Sequence, residues 1–565
     1  MIRIFLTTFF LAFSFLTPTL FAQTNYYKVW FTNKQSIYDI SRPAEFLSSK
    51  SIERRLLQQI PVSESDKPIS PAYLTDIEST GAEIIYQSKW LNMVIVKSQQ
   101  NADEIGLSSK VYVKSIESAN HLFTRHTAVQ EKPFFKQEKI SRIPNSLLRK
   151  GVENRSTNDF NYGPSLNQAE MIRINQLHNM GFIGTGVTIG VIDAGFNSVN
   201  IHSAFDSLRM NGQILGTRDF VQPGNDLYAS SMNSHGTMVL STMGANLPGQ
   251  LIGTAPGASY WLLRSEDGNA EYLMEEYYWV NAAEFADSVG VDVINSSLGY
   301  NFFDNPDEDH SYEDMDGNTT VITIAADMAA AKGILVVNSA GNSGGNSVWP
   351  YITAPADGDS VFTIGAVNSN GILAYFSSQG PTFDGRTKPE VVAQGVASIV
   401  ADLPSGVGTN NGTSFSSPII AGAAASLWQA NPSFTNMQLI EAIKMSASNA
   451  SNPDFFTGWG IPDFVTANNL LATQVIEVSN PMRNLKIFPN PFADQINITV
   501  DMPQSTKADV LLINAQGSMT VSLSGIQLAQ GKNILVMDNL SKLPSGIYML
   551  QITDGFYSVT QKIIR

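Results

Sequence analysis

Apolar runs of strand length alternate with helical stretches through the middle of this 565-residue chain. The strand-length runs occupy residues 187–192, 259–264, 291–296, 333–338 and 361–366, and the helical stretches lie near 235–245, 271–289 and 320–331. Continuous apolar strands that alternate with helices predict a mostly parallel sheet with helices on both faces. Ligands of such sheets bind beyond the carboxyl ends of the strands. We therefore expect an α/β domain over residues 166–471, with its functional site at that edge.

Residues 23–117 predict a smaller α+β domain with one sheet. Strands are expected at 26–31, 83–86, 90–96 and 111–116, and helical segments at 71–80 and 101–107. The first of these helices would begin after Ser70 as its cap, with Pro71 at its first position. Residues 118–165 are polar and basic without periodicity, which predicts an exposed linker that proteases can reach.

A polar linker at residues 472–484 leads into a third kind of pattern. Residues 485–565 contain short alternating strands separated by turn signals, and Asp554-Gly555 is typical of a two-residue hairpin turn. This pattern predicts a small β-sandwich.

The first 22 residues carry one early base, Arg3, and an apolar run that ends before Ala22. This pattern predicts a secretory signal peptide. A membrane anchor is the alternative, but the run is short for a span and is broken by Thr17-Pro18-Thr19. No later stretch is long and apolar enough to cross a membrane, so we expect a secreted protein with no transmembrane span.

Charge and cysteine content exclude several classes of function. The formal net charge is −15, so a surface for nucleic acid or for an anionic membrane is not expected. The chain has no cysteine, which excludes disulfides, thiolate catalysis and cysteine-ligated zinc.

Residues 411–418 join a glycine turn to an apolar, Ala-rich run at 419–430. The run predicts a buried helix with Ser414 in its first turn. A helix N-terminus presents unpaired N–H groups and a partial positive charge, which favour the negative charge that develops in acyl transfer. Ser414 is therefore a candidate nucleophile, and the simpler alternative is an N-cap, where serine is also preferred.

The order of other reactive groups narrows this choice. All six histidines precede Ser414. If Ser414 is the nucleophile, this order excludes an α/β-hydrolase, because the histidine of that fold follows its serine. Asp193 ends a predicted strand, and His235 begins a predicted helix just before Gly236, where a close backbone approach is permitted. The order Asp, His, Ser is that of the subtilisin-type triad.

Residues 166–471 resemble the subtilases, the subtilisin-like serine proteases of the S8 family. The motifs follow the family's order: Gly-Thr-Gly-Val-Thr-Ile-Gly-Val-Ile-Asp (184–193), Ser-His-Gly-Thr (234–237), Gly-Thr-Ala-Pro-Gly-Ala (253–258), Asp-Val-Ile-Asn-Ser-Ser-Leu-Gly (292–299), Ser-Ala-Gly-Asn-Ser-Gly (339–344), Phe-Ser-Ser-Gln-Gly-Pro (376–381) and the Ser414 stretch. The resemblance implies a subtilisin-like, doubly wound, mostly parallel sheet. One departure is Ile419, where the family usually has a histidine outside the triad, so we expect only a local packing change there.

The resemblance implies a role for each matched residue. Ser414 would attack the scissile carbonyl, His235 would take the serine proton and pass it on, and Asp193 would hold the histidine. Asn342 would donate its side-chain amide to the oxyanion. Ser297-Leu298-Gly299 would pair with substrate backbone and line the specificity pocket.

Both flanking regions also resemble parts of exported proteases. The domain at 23–117 is similar to a subtilase propeptide, which assists folding and blocks the cleft, and this implies autoprocessing within 118–165. Residues 485–565 resemble the C-terminal sorting domain of type IX secretion in Bacteroidetes, through Pro-Asn-Pro at 489–491 and Gly-Ile-Tyr at 546–548. That resemblance implies export across the outer membrane by the type IX secretion machinery, with removal of this domain. A simple adhesive sandwich is the alternative.

Three further patterns carry weaker signals. The Gly-x-Gly at 184–186 precedes its strand, which is the wrong geometry for dinucleotide binding. The acidic loop at 304–316 fails the EF-hand template because Tyr312 takes the first ligand position, so a solvated insertion is expected. Calcium elsewhere, as in many subtilases, stays open. Glu266 and Asp267 precede the cleft and would favour basic substrate residues if they face it.

The sequence thus predicts a secreted serine endopeptidase, made as an autoprocessed zymogen, that acts on proteins or peptides and is inhibited by its own propeptide. The chemistry requires no cofactor, and a structural calcium ion stays open. The main alternative is a catalytically silent, subtilase-like surface binding module, against which the intact Asp193, His235, Ser414 and Asn342 argue. A metal-dependent hydrolase is disfavoured because no histidine pair has ligand spacing.

Overall fold

The structure, a computed structural model, describes residues 24–123, 141–142, 160–473, 483–502, 505–514, 518–553 and 558–565. The predicted signal peptide at 1–22 and the predicted turn at Asp554-Gly555 lie outside these residues. The chain divides into two compact units, Met1–Ala472 and Thr473–Arg565.

The first unit begins with a small sheet and two helices. Their bounds are β1 Asn25–Phe31, α1 Ser49–Leu57, α2 Pro71–Glu78, β2 Glu83–Ser88, β3 Met93–Ser98 and β4 Val113–Ser118. The sheet is antiparallel, in the order β2-β3-β1-β4. Helix α2 begins after Ser70 with Pro71 at its first position, as predicted, although the Ser70 side chain makes no capping bond. Helix α1 has no counterpart among the predicted elements.

A seven-stranded parallel sheet forms the centre of the first unit, which confirms the predicted α/β fold. The strands of this region are β5 Ser141–Arg142, β6 Thr188–Asp193, β7 Ile214–Asp219, β8 Asn246–Leu247, β9 Leu251–Ile252, β10 Ser259–Arg264, β11 Val293–Ser296, β12 Leu335–Ser339, β13 Phe362–Val367, β14 Val391–Gln394, β15 Ser398–Ala401 and β16 Val407–Asn410. The order across the large sheet is β14-β13-β12-β11-β6-β10-β7, and each neighbouring pair runs parallel. The connection from β10 to β11 crosses to the other side of β6, and ligand crevices form at such switch points.

Helices cover this sheet, as its apolar strands require. Their bounds are α3 Leu166–Glu170, α4 Ile174–Asn179, α5 Asp206–Met210, α6 His235–Gly244, α7 Met274–Val289, α8 Val321–Ala331, α9 Thr413–Ala430, α10 Asn436–Met445 and α11 Phe464–Thr473. Helices α6 and α9 pack against each other, and so do α7 and α8. The core that includes α7 and α8 contains Trp279 and Ala325 together with Ile294 and Val336 of the sheet.

Two edge strands and part of the linker differ from the predicted pattern. Five of the six residues of strand β7 are exposed or half-buried, and strand β14 has only four residues. Neither strand therefore presents a long apolar run. Strand β5 lies within the predicted linker at 118–165, where its backbone pairs antiparallel with Gly408 and Thr409 of β16. Propensity gives no warning of β5, because its partner is more than 200 residues away in sequence.

The N-terminal sheet packs against α7 through one buried carboxylate and an apolar cluster. Glu284 Oε1 accepts hydrogen bonds from Ser88 Oγ at 2.5 Å and Trp90 N at 2.9 Å, and Lys89 N donates to Glu284 Oε2 at 3.2 Å. Burial raises the pKa of Glu284, and Lys89 and these donors oppose that effect. The apolar cluster contains Tyr86, Met93, Ile95, Leu122, Tyr272, Met274 and Tyr277.

A buried cluster of charges joins α1 to residues of α7 and the end of α8. Asp287 lies 2.6 Å from Arg54 and 2.9 Å from Arg55, and Asp66 lies 2.9 Å from Arg55 and 2.7 Å from Lys332. Burial opposes the charged form of Asp287, but the two arginines outweigh it and lower the pKa of this carboxyl. The pKa of Asp66 is lowered to about 2, because Lys332 and Arg55 outweigh its burial. Both carboxylates therefore stay ionised inside the interface.

The second unit is a β-sandwich, which confirms a β-rich C-terminal domain. Its strands are β17 Arg483–Phe488, β18 Ile496–Met502, β19 Thr506–Asn514, β20 Met519–Leu528, β21 Gly531–Met537, β22 Ile547–Thr553 and β23 Ser558–Ile564. They form one sheet of order β17-β18-β21 and another of order β20-β19-β22-β23. Ile498, Val510 and Leu550 belong to the single apolar core that the two sheets share.

Among the residues that the structure describes, no helix is both long and apolar enough to cross a bilayer.

We predict that Arg55→Met lowers the free energy of unfolding by about 3 kcal/mol, because removal of one partner leaves buried charges less compensated. The control is Arg42→Met, whose ion pair with Glu45 is exposed, so a change of about 0–1 kcal/mol is expected. Both changes are made in a Ser414→Ala background. Urea unfolding is followed by tryptophan fluorescence, since all seven tryptophans lie in the first unit. Equal values for the two variants would contradict the prediction.

Candidate active site

Asp193 and His235 meet at the carboxyl edge of the parallel sheet. Asp193 is the last residue of β6, and His235 is the first residue of α6. His235 Nδ1 lies 2.7 Å from Asp193 Oδ1, and Ala194 N donates to the same oxygen at 2.7 Å. Because a carboxylate can only accept, Nδ1 carries the proton and Nε2 is the basic nitrogen of the neutral ring.

The close approach of α6 to β6 depends on a glycine. His235 N donates to Asn233 Oδ1 at 2.8 Å, which orients the start of the helix. A Cβ added at Gly236 would lie 2.5 Å from Gly195 O and 2.9 Å from Asp193 Cβ. Both distances are shorter than real Cβ contacts, so a side chain at position 236 would separate the aspartate from the histidine.

Ser414 is the second residue of α9 and does not cap it. Gly412 occupies the N-cap position, and its N–H donates to Gly395 O at 2.8 Å. Ser414 Oγ is buried and makes no hydrogen bond to the residues that the structure describes. The N-cap interpretation of Ser414 is therefore wrong.

The first turn of α9 is tied to the end of β11. Pro418 lies inside the helix and lacks the N–H that would bond the carbonyl oxygen of Ser414. Ser297 Oγ donates to that oxygen instead, at 3.0 Å, and Ser417 Oγ donates to Asn295 Oδ1 at 3.0 Å. These two bonds fix the position of Ser414 relative to the sheet.

Asn342 follows β12 and contacts the residue before Ser414. Its Oδ1 accepts hydrogen bonds from Thr413 N at 2.9 Å and from Thr413 Oγ1 at 3.0 Å. Thr413 Oγ1 in turn accepts from Gly341 N at 3.2 Å. These bonds orient the amide group of Asn342 with its oxygen toward Thr413 and its nitrogen away from it.

The four predicted catalytic residues thus lie at the end of β6, at the start of α6, in the loop after β12 and in the first turn of α9. The ring centroid of His235 lies 6.0 Å from that of Phe415, the neighbour of Ser414, and α6 packs against α9. Asp193 and Ser414 are 0% exposed and His235 is 1% exposed in the full-length chain. These three side chains are therefore closed to solvent in the full-length chain.

A small pocket adjoins this region. The residues that line it are Glu271, Gly299, Asn301, Phe302, Asn342, Ser343 and Thr353. Of the predicted substrate-binding residues, Gly299 lines the pocket, the Leu298 carbonyl accepts from Asn338 Nδ2 at 3.0 Å, and Ser297 holds the Ser414 carbonyl. Sequence reasoning missed the part of the lining that lies on loops, where neither periodicity nor a motif marks it.

Glu266 and Asp267, the residues proposed from the sequence to face a substrate, do not line this pocket. Glu266 is 2% exposed, and its Oε2 accepts a hydrogen bond from Tyr300 Oη at 2.5 Å. The acidic residue of the same loop that does line the pocket is Glu271.

One group of three carboxylates in the described ranges could approach a single cation. Oxygens of Glu266, Glu271 and Glu275 lie within 4.8 Å of one another. Calcium takes about six to eight oxygen ligands, so this group alone does not complete a calcium site.

The predicted acidic loop uses its carboxylates to bond its own backbone. Asp309 Oδ1 accepts from Phe303 N at 2.7 Å, and Asp314 Oδ2 accepts from Ser311 N at 2.7 Å. Asp316 Oδ1 accepts from the backbone N–H of residue 318 at 2.8 Å. The loop is therefore stabilised by hydrogen bonds between its own carboxylates and nearby backbone N–H groups.

Three family models match different parts of the chain. The model described as the Subtilase family matches residues 184–460. The Peptidase S8 propeptide domain of Bacteroidota matches residues 26–133, and the Secretion system C-terminal sorting domain matches residues 486–565.

Individual proteins are similar to the central part of the chain. Subtilisin E of Bacillus subtilis (strain 168) is 33% identical over 293 residues, which cover 51% of this chain and 68% of that protein. Subtilisin of Bacillus pumilus is 32% identical over 293 residues, which cover 51% of this chain and 94% of that protein. The match to a crystal structure of MycP1 with the N-terminal propeptide removed covers 54% of this chain and 96% of that one, at 24% identity and a TM-score of 0.42.

We predict that Gly236→Ala destabilises the first unit by about 1–3 kcal/mol, because the added methyl group overpacks the contact between β6 and α6. The control is Gly546→Ala, where an added Cβ meets no atom within 4 Å and little change is expected. Scanning calorimetry of the full chain measures both units. An unchanged unfolding transition of the first unit in Gly236→Ala would contradict the contact.

Proposed function

Because the chain belongs to the subtilase family of serine endopeptidases, we propose that it hydrolyses peptide bonds through Asp193, His235 and Ser414. The resemblances to a subtilase, to an S8 propeptide and to a secretion sorting domain are each matched by a family model. The observation that carries the proposal is the 2.7 Å bond between Asp193 and His235 beside the buried start of α9.

In the proposed first half-reaction, Ser414 Oγ attacks the scissile carbonyl carbon while His235 Nε2 takes the serine proton. Asp193 stabilises the resulting imidazolium through its bond to Nδ1. The tetrahedral intermediate then collapses, the C–N bond breaks, and His235 gives its proton to the leaving amine. Water repeats the sequence on the acyl-enzyme and releases the carboxylic acid with Ser414 restored.

Oxyanion stabilisation is assigned to the amide of Asn342 and to the start of α9. The hydrogen bonds from Thr413 fix the position of Asn342 Oδ1. Because the amide group is planar, they also fix the direction of Nδ2. The N-terminus of α9 adds a partial positive charge where the oxyanion develops. Ser297-Leu298-Gly299 is assigned to the binding of substrate backbone. No step of this chemistry uses a cofactor.

The N-terminal region is proposed to act as an inhibitory propeptide. Residues 26–133 match an S8 propeptide model, and the same region packs on α7 through Glu284 and the buried charge cluster. We expect autoprocessing within residues 118–165.

The C-terminal domain assigns the protein to export. Residues 486–565 match a secretion sorting domain, which indicates secretion or attachment at the cell surface. We propose that a signal peptide at 1–22 leads to the first membrane and that the type IX secretion machinery recognises the C-terminal domain. Protein or peptide substrates would then be met outside the cell.

We predict that Ser414→Ala abolishes both the loss of the N-terminal region and the cleavage of denatured casein. A serine-directed phosphonate should have the same effect on the wild type, because it consumes the nucleophile. Casein cleavage is measured by peptide release, and processing by mass spectrometry.

Cleavage of casein by Ser414→Ala would reject Ser414 as the nucleophile. If the wild type stays inactive after another protease has removed its N-terminal region, the binding-module alternative gains instead. Activity retained in a chelator would separate the proposed function from that of a metal-dependent hydrolase.

A second prediction compares removal of the oxyanion donor with loss of a bond that orients it. Asn342→Ala should lower kcat by about 10²–10³-fold, the range known for an oxyanion-hole asparagine in subtilisin itself. Thr413→Val removes one of two bonds to Asn342 Oδ1, so kcat should fall only about 2–10-fold with KM little changed. Steady-state kinetics on one peptide substrate measures both. A loss for Thr413→Val that is confined to KM would contradict the orienting role.

A further inference from the structure

The pocket beside Asn342 is placed to receive a substrate side chain. Gly299 and Asn342 line one part of it, and these residues were assigned above to the substrate backbone and the oxyanion. The inference therefore rests on the proposed function. A side chain that enters this pocket belongs to the residue just before the scissile bond, which is called P1. Ser343 and Thr353 add small polar groups to the lining.

Glu271 is the acidic residue in the lining of this pocket, and its backbone is fixed on both sides. Its N–H donates to Asp304 Oδ2 at 3.1 Å, and its carbonyl oxygen accepts from Asp304 N at 2.7 Å. Glu271 lies in the connection between β10 and α7, and this double contact joins that connection to the loop that contains Asp304. The backbone of Glu271 is therefore fixed beside the pocket.

Two more carboxyl groups lie close to that of Glu271. Oxygens of Glu266 and Glu275 lie within 4.8 Å of the Glu271 carboxylate. Glu266 accepts from Tyr300 Oη, and Glu275 accepts from the backbone N–H of residues 267 and 272, so both are also used by the fold. Burial raises the pKa of Tyr300, and the charges of Glu275 and Glu271 raise it further. No lysine or arginine lines the pocket in the described part of the chain.

We propose that this pocket selects substrates with lysine or arginine at P1, and that Glu271 is the residue that binds their charge. A cationic head in the pocket would favour the ionised form of the Glu271 carboxyl and form a charge-assisted hydrogen bond to it. An apolar P1 side chain would remove water from that carboxyl without replacing the lost hydrogen bonds, which costs desolvation free energy. The substrate class is therefore proteins with accessible basic residues.

The chain itself offers such residues between its propeptide and protease regions. The predicted linker at 118–165 contains eight such residues: Arg125, Lys132, Lys136, Lys139, Arg142, Arg149, Lys150 and Arg155. Autoprocessing after one of them would follow from the same preference.

The test compares peptides that are identical except for lysine or leucine at P1. The processed wild type should give kcat/KM at least about 10-fold higher for the lysine peptide, and Glu271→Gln should lower this ratio by about 10–100-fold. The control is Asp267→Asn, which removes the same charge from the same loop outside the pocket and should keep the wild-type ratio. A ratio does not depend on the fraction of enzyme that is folded. N-terminal sequencing of the processed protein should place its cleavage after lysine or arginine.

A wild-type enzyme with no preference for the lysine peptide, or a ratio that Glu271→Gln leaves unchanged, would overturn the inference. A cation held by the three carboxylates would also remove the preference, and calcium is therefore present in one arm and chelated in another. If the preference is absent in both arms, Glu271 does not select P1. Failure of the proposed function is a separate outcome, because then neither peptide is cleaved in a manner that requires Ser414.

Discussion

The buried start of helix α9 is the constraint on which the candidate active site depends. Three consecutive residues there each form a hydrogen bond to a residue that follows a different strand. Gly412 N donates to Gly395 O, and Thr413 N donates to Asn342 Oδ1. The carbonyl oxygen of Ser414 accepts from the Ser297 hydroxyl. The carboxyl ends of β11, β12 and β14 are thereby joined to one helix turn. A shift of that turn would move the serine and the asparagine together.

The same edge of the sheet supplies the partner groups because strand and helix ends meet there. Asp193 ends β6, His235 begins α6, and Gly236 lets the two approach within hydrogen-bond distance. The N-terminal region reaches α7 at Glu284 and Asp287. The proposed catalytic contacts therefore lie at the edge of the sheet, and the proposed inhibitory contacts lie on a helix that covers it.

Much of this arrangement follows from local sequence. The apolar runs predict the central strands, and the glycine turn before the Ala-rich run places Ser414 in a first helix turn. The edge strands β7 and β14 are not predicted, because exposed or four-residue strands lack a continuous apolar run. Glu271 is not predicted as a pocket residue, because its place depends on Asp304 in a separate loop. The pairing of Arg54 with Asp287 spans 233 residues, and no local pattern encodes it.

The buried charge cluster has a consequence for the proposed departure of the N-terminal region. Arg54, Arg55 and Asp287 give up hydration in the full-length chain and would regain it if the region were cut and separated as proposed. The hydration recovered by these ions offsets part of the ion-pair energy lost, so separation costs less than the short distances alone suggest. The surface left on α7 at this point is charged and wettable. An enzyme freed in this way would expose a hydrated charged group, rather than an apolar patch, at the site where Arg54 and Arg55 had been.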